Sequence, residues 1–373
     1  MKLRSSVSLA SAFLAGTVMA VNPAAHASRT AQAGPGLPGL PVGAATQPGQ
    51  PTRGAGSNGP CGMTVRSLPT PGFSTEKTYV YEPTGTATAP TGRTCDSAKR
   101  PTVLLAHGTN ESAQSTFAGF VKHMVSKGNI VVYPTHSMEG NTAQSNDDAY
   151  HAVRDGFFAA VTTTPRIDTT RIGVWGHSFG GGMTPYLVQQ IAARGWARKA
   201  LWMSMVAQAY TRLASTPGTR AIRVPEWTRA MTISMEDDQL ADNRLGIDVY
   251  ESLTLPFPRK LYLRVMSDTH GQPPIVADHT APAGSDASTL DSVDFAVWRY
   301  ADVLEHCALV RQGCRPDMPS LGTWSDGVDI TPSLVAVHPV DSGPAPAALS
   351  ECDGTYGPIL NPDRLPYCGP THV

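Results

Sequence analysis

The chain of 373 residues has no run of basic residues, and its formal net charge is only −1. Without a positive stripe to displace phosphate counterions, nucleic acid is not expected as its main partner. No CxxC pair and no His-x-x-x-His occurs, which sets zinc aside as the reading of its six cysteines. Motifs for a nucleotide, haem, flavin or metal are missing, so no cofactor is expected, and no repeat of solenoid length is visible. Beyond Val21 no apolar stretch reaches the roughly 20 residues of a spanning helix, so stable membrane insertion is not expected either.

What the start does hold is basic Lys2 and Arg4, an apolar stretch from Val7 to Val21, and Ala25-His26-Ala27, a small-x-small cleavage pattern. This predicts a signal peptide over 1–27 and a secreted or periplasmic protein. Residues 28–60 are rich in Gly, Pro, Ala, Gln and Thr, with too few large apolar groups to order themselves, and read as a flexible linker. Residues 61–312 are long enough for one large catalytic domain. The remainder, 313–373, turns to Pro, Gly, Ser and Asp and reads as an irregular Cys-containing extension, its one brief apolar run at Leu334 to Val337. Six cysteines in an oxidising compartment point to disulfides, and proximity favours Cys61 with Cys95, Cys307 with Cys314, and Cys352 with Cys368.

Short β-branched runs alternate with stretches of helical period. Strands are predicted at Thr78–Tyr81, Thr102–Ala106, Ile130–Tyr133, Arg171–Trp175, Ala200–Val206, Ala230–Met235 and Lys260–Met266. Helices fall near Ser115–Lys127, Asp147–Thr162, Gly180–Arg194, Arg244–Leu253 and Leu290–Leu309. That alternation gives the α/β class, a mostly parallel sheet covered by helices on both faces. Val293, Val297, Ala301, Leu304 and Ala308 recur at spacings of three and four, a core stripe of the last helix.

One segment carries chemistry. Arg171 to Trp175 is a short strand, Gly176-His177-Ser178-Phe179-Gly180 follows, and Gly181 and Gly182 open a helix. Glycines beside a serine permit the sharp turn of a nucleophile elbow, which lifts the hydroxyl above the sheet edge. In a chain with 35 glycines the pentapeptide alone says little, and its strand and helix flanks carry the reading. A serine hydroxyl is a weak nucleophile, so Ser178 needs a base and an acid to orient that base. Both lie downstream, just past predicted strand ends, where such sheets place their sites. Glu236-Asp237-Asp238 follows Met235, and Ser267-Asp268-Thr269-His270 follows Met266.

From Thr78 to Leu309 the chain resembles the secreted α/β-hydrolases of the bacterial cutinase and polyester-hydrolase group, in the dienelactone-hydrolase-like branch. The resemblance rests on Asp168 to Gly182, with its arginine, strand and G-H-S-x-G-G-G run, on Glu236-Asp237-Asp238-Gln239-Leu240-Ala241, and on Thr269-His270. It implies an α/β-hydrolase fold and a triad of Ser178, Asp238 and His270. Asp237 is the alternative acid and His279, in Ala277-Asp278-His279-Thr280, the alternative base, His270 being preferred because it follows the strand directly. Asp242 reads as a surface charge and His177 as a packing or hydrogen-bonding residue.

Backbone N–H groups of Phe179, after the nucleophile, and Thr109, in the turn His107-Gly108-Thr109-Asn110, are the expected oxyanion donors. Two departures affect the substrate. The group's aromatic residue at the turn is replaced by Thr109, and its tryptophan after the following strand by Met205-Val206-Ala207-Gln208, with Trp202 earlier and in the core. Both put aromatic polyesters in doubt and leave ester hydrolysis intact. The short stretch between Val206 and Ala230 leaves no room for a large lid. The sequence thus predicts a monomeric secreted serine esterase acting on a small-molecule or polymeric ester. A serine peptidase or acyltransferase with the same triad, and a non-catalytic binding protein, are the competing readings.

Overall fold

The computed structural model describes residues 44–90, 92–138, 143–209, 221–241, 243–257, 259–284, 290–310 and 320–336. The signal peptide expected over 1–27 lies outside them. In chain order the elements are β1 (Gly62–Thr70), β2 (Phe73–Thr84), β3 (Arg100–Ala106), α1 (Ala118–Ser126), β4 (Ile130–Pro134), α2 (Ala143–Thr163), β5 (Ile167–His177), α3 (Ser178–Ala193), β6 (Ala200–Val206), β7 (Arg229–Met235), α4 (Asn243–Ser252), β8 (Lys260–Val265), α5 (Ser292–Val310) and β9 (Leu334–Ala336).

Among the described residues the strands form one sheet of nine, ordered β1-β2-β4-β3-β5-β6-β7-β8-β9. The strands from β4 across to β8 pair in parallel, whereas β1, β2 and β9 join antiparallel at the two edges. Every residue of β3, β4, β6 and β7 is buried, which accounts for their reading as continuous apolar runs rather than alternating ones. Side chains still alternate between faces. Val103 and Leu105 of β3 pack with α1 and α5, including the stripe Val293, Val297, Ala301, Leu304 and Ala308. Leu104 and Ala106 pack on the other face with Phe157 of α2, Leu187 of α3 and Val249 of α4.

Two expectations of organisation are corrected. Residues 44–60, part of the expected linker, are fastened to the sheet domain although they bury little apolar surface. Ala45 O accepts Gln272 N–H at 2.8 Å, and Thr46 exchanges bonds with Ser325 at 2.9 and 3.0 Å. Gly56 N–H meets Asp302 at 2.8 Å and Gly59 N–H meets Ser126 Oγ at 2.8 Å. Polar backbone partners do here what apolar composition could not announce. The second correction concerns the end of the chain. Leu321, Trp324 and Ile330 are buried in the α1/α5 side of the core, and Leu334–Ala336 adds an edge strand to β8, so the core extends past residue 312.

The Cys61–Cys95 disulfide is formed, joining the start of β1 to the loop before β3. Cys307 is also disulfide-bonded. Its expected partner Cys314, and Cys352 with Cys368, lie outside the described residues. No helix among the described residues is long and apolar enough to cross a membrane.

Candidate active site

Ser178 stands where β5 ends and α3 begins, in the left-handed region at φ 53°. For a residue with a Cβ that conformation costs about 1–2 kcal/mol, so packing must hold it. The helix start is pressed against β3: a Cβ on Gly180 would strike the backbone oxygens of Ala106 and His107. Ser178 O in turn accepts Ala209 N–H at 3.0 Å. The turn is clamped between the ends of β3 and β6.

The imidazole that reaches the serine is that of His279. Its Nε2 lies 2.9 Å from Ser178 Oγ, and its Nδ1 lies 2.8 Å from Asp238 Oδ2. Asp238 is itself fixed, its Oδ1 accepting N–H groups of Leu240 at 2.8 Å and Ala241 at 2.7 Å. All three residues are buried. A carboxylate on Nδ1 leaves Nε2 to face the hydroxyl, the arrangement that proton abstraction from serine requires.

His270, expected in this role, is elsewhere. Its Nε2 is 2.7 Å from Asp326 Oδ2, with the side chain about 39% exposed. The reason is a local reversal. Asp268 and Ile275 exchange backbone bonds at 2.9 and 2.8 Å, folding 268–275 into an excursion with His270 near its tip. The chain then returns to the sheet edge, where Ala277 O accepts Asp237 N–H at 2.9 Å and Ser267 Oγ binds Ala277 N–H at 2.9 Å. His279 follows directly. Asp278 Oδ1 closes a short turn onto Thr280 N–H at 2.8 Å, steadying the residue between them. Asp237, the alternative acid, instead takes the Ser267 hydroxyl at 2.5 Å. Asp242 lies outside the described residues.

Of the two expected oxyanion donors, Phe179 occupies the first turn of α3, where the helix dipole favours negative charge. Thr109 belongs to the turn after β3. Its neighbour Gly108 lies so close to the serine that an added Cβ would stand 2.7 Å from Ser178 Cβ and 2.5 Å from Glu111 Oε2. Only glycine fits there.

That turn is built on histidines and a carboxylate that the sequence did not flag. His107 Nδ1–H bonds to Gly108 O at 2.7 Å, and its Nε2 accepts His136 N–H at 3.1 Å. The two imidazoles stack at 3.8 Å, His136 Nε2–H bonding to His107 O at 3.1 Å. Burial pushes the His107 imidazole well below its ordinary range, with the neighbouring His136 adding to the shift, and both rings stay neutral. Glu111 accepts Gly108 N–H at 2.6 Å and contacts His177 Nδ1 at 2.9 Å. The His-Gly exit from a strand was the sequence signal for this cluster, because His136 and His177 reach it from separate segments.

Trp202 is buried within β6, with Gly173 against its ring, and Gln208 is buried with neither side-chain amide atom hydrogen-bonded. Residues 210–220, which bear on the expectation of no large lid, lie outside the described residues. Among the described residues no group of three or more His, Cys, Asp or Glu is arranged to hold a metal ion. No protein-family model and no curated protein matches the chain.

Proposed function

We propose that the protein is a serine hydrolase of carboxylic esters, with an α/β-hydrolase fold. One observation carries the reading: the continuous chain Ser178 Oγ, His279 Nε2, His279 Nδ1, Asp238 Oδ2, with links of 2.9 and 2.8 Å. The strand order and the strained turn at the carboxyl end of β5 support it.

In this reading Ser178 Oγ attacks the ester carbonyl carbon while its proton passes to His279 Nε2. Asp238 holds the imidazole in place and offsets the positive charge it gains. The oxygen that becomes negative sits between the N–H groups of Phe179 and Thr109. Collapse breaks the bond to the alkoxide, which leaves with the proton from His279. Water then repeats the sequence on the acyl-enzyme, giving the acid and restoring the serine. Leu240 and Val276 are exposed on the loops that carry Asp238 and His279.

A fluorophosphonate and a series of 4-nitrophenyl esters of increasing acyl length test the proposal on the full chain. The expected result is adduct formation at Ser178, turnover of the shorter esters, and loss of both in Ser178→Ala. A folded wild type that shows neither labelling nor turnover overturns it. Added alcohol or amine acceptors separate hydrolysis from acyl transfer.

A further inference from the structure

Outside the Ser178–His279–Asp238 chain the molecule holds a second pair of buried ionisable groups that the mechanism does not use. His177 is fully buried and Glu111 nearly so, and they meet at 2.9 Å. His177 Nε2 also lies 2.8 Å from the backbone oxygen of His279. Both partners of the imidazole are acceptors, a carboxylate and a carbonyl, so both ring nitrogens must donate and the ring is an imidazolium. Burial opposes that charge, yet the Glu111 carboxylate outweighs it and holds His177 above its ordinary range. Burial likewise opposes the Glu111 anion, and His177 with the Gly108 N–H more than restores it.

The pair links three segments distant in sequence. His177 immediately precedes the nucleophile. Its Nε2–H fixes the backbone of the residue that carries the base. Glu111, through the Gly108 N–H at 2.6 Å, fixes the turn that bears Thr109. Glu111 is anchored from behind, its backbone oxygen accepting the Tyr133 hydroxyl at 2.5 Å. The imidazole rings of His177 and His279 stand 4.9 Å apart, so an uncompensated charge on either would be felt by the other. Glu111 supplies that compensation.

Resting on the serine-hydrolase reading above, we propose that Glu111 and His177 are positioning residues: their ion pair sets the spacing of base and oxyanion turn about Ser178. Neither touches the reacting atoms. Misplacement of such groups by an ångström lowers turnover on the order of a hundredfold while leaving binding of a small ester almost unaltered.

The test uses the full chain with Glu111→Gln, which keeps the shape and removes the charge, and Glu111→Asp, which keeps the charge and withdraws it by one methylene. On a short nitrophenyl ester, kcat is expected to fall about ten- to a hundredfold in Glu111→Gln, less in Glu111→Asp, with KM within about twofold in both. Labelling of Ser178 by the phosphonate slows in the same order. Nitrogen-15 histidine spectra of the wild type at about pH 8, well above the ordinary imidazole range, should show the His177 ring protonated on both nitrogens. That signal should be absent in His177→Gln, persist in Glu111→Asp and disappear in Glu111→Gln. Wild-type kcat in a folded Glu111→Gln, or a neutral His177 ring in the wild type, overturns the proposal. Should Glu111→Gln not fold, an unaltered kcat in Glu111→Asp overturns it instead. A wild type without turnover or labelling would sink the hydrolase reading, and the spectra would then report on the ion pair alone.

Discussion

His279 and His270 are nine positions apart, and their surroundings separate them sharply. His279 has Ser178 on one ring nitrogen and Asp238 on the other, whereas His270 pairs with an exposed aspartate. Solvent screens surface pairs of that kind, which contribute little. His279→Ala is therefore expected to lower kcat/KM for a nitrophenyl ester by at least about a thousandfold, in line with loss of a triad member. His270→Ala should leave it within about twofold, and steady-state kinetics on the two variants decide between them. The serine and the acid were legible in the sequence because each lies at the end of a strand whose apolar run is plain. The base was not, since the order strand-then-histidine holds for both candidates. What selects between them is the backbone pairing of Asp268 with Ile275, a tertiary choice with no local spacing rule. Glu111 was hidden for a related reason: its role depends on three segments converging.

At the scale of elements, the buried strands β3 to β8 were readable and the edges were not. β1 is largely exposed, with Met63 and Val65 turned to solvent, and β9 is three residues long, so neither carries a burial pattern. The attached segment 44–60 was equally silent, because hydrogen bonds from glycine backbones leave no trace in hydropathy. Cys61–Cys95 joins that segment's end to the sheet across a sequence separation of 34. A loop of this length removes about 3–4 kcal/mol of chain entropy from the unfolded state. Cys61→Ser with Cys95→Ser should lower the unfolding free energy by about that amount, read from urea midpoints with the slope little altered. Ester turnover at ambient temperature is expected to persist, since the bond is anchored away from the site.

For the molecule as a whole, one source of the pH dependence of stability is Glu305 of α5. Burial raises Glu305 from 4.5 to about 7, its neighbour Asp302 adding to the effect while Asn129, Lys127 and Arg100 oppose it. A folded state that holds this proton more tightly than the unfolded chain loses stability as pH rises from 4.5 to about 7, and below that window the contribution is complete. At 1.36 kcal/mol per pH unit, Glu305→Gln should gain ~3 kcal/mol at pH ~8 and nothing near pH ~4.5. Denaturant titrations of both proteins across that range provide the check, and parallel curves would refute the assignment.

Thr46 and Ser325 meet across a separation of 279 residues, and Gln47 reaches the backbone of Pro273 and Pro274 from the same stretch. A growing chain cannot form the first of these contacts until residue 325 has been made, whatever the state of the sheet by then. The entropy of closing so long a loop grows only with the logarithm of its length. The cost falls on time: a segment near residue 325 must find one near residue 46, a search far longer in sequence than any pairing of neighbouring strands described above.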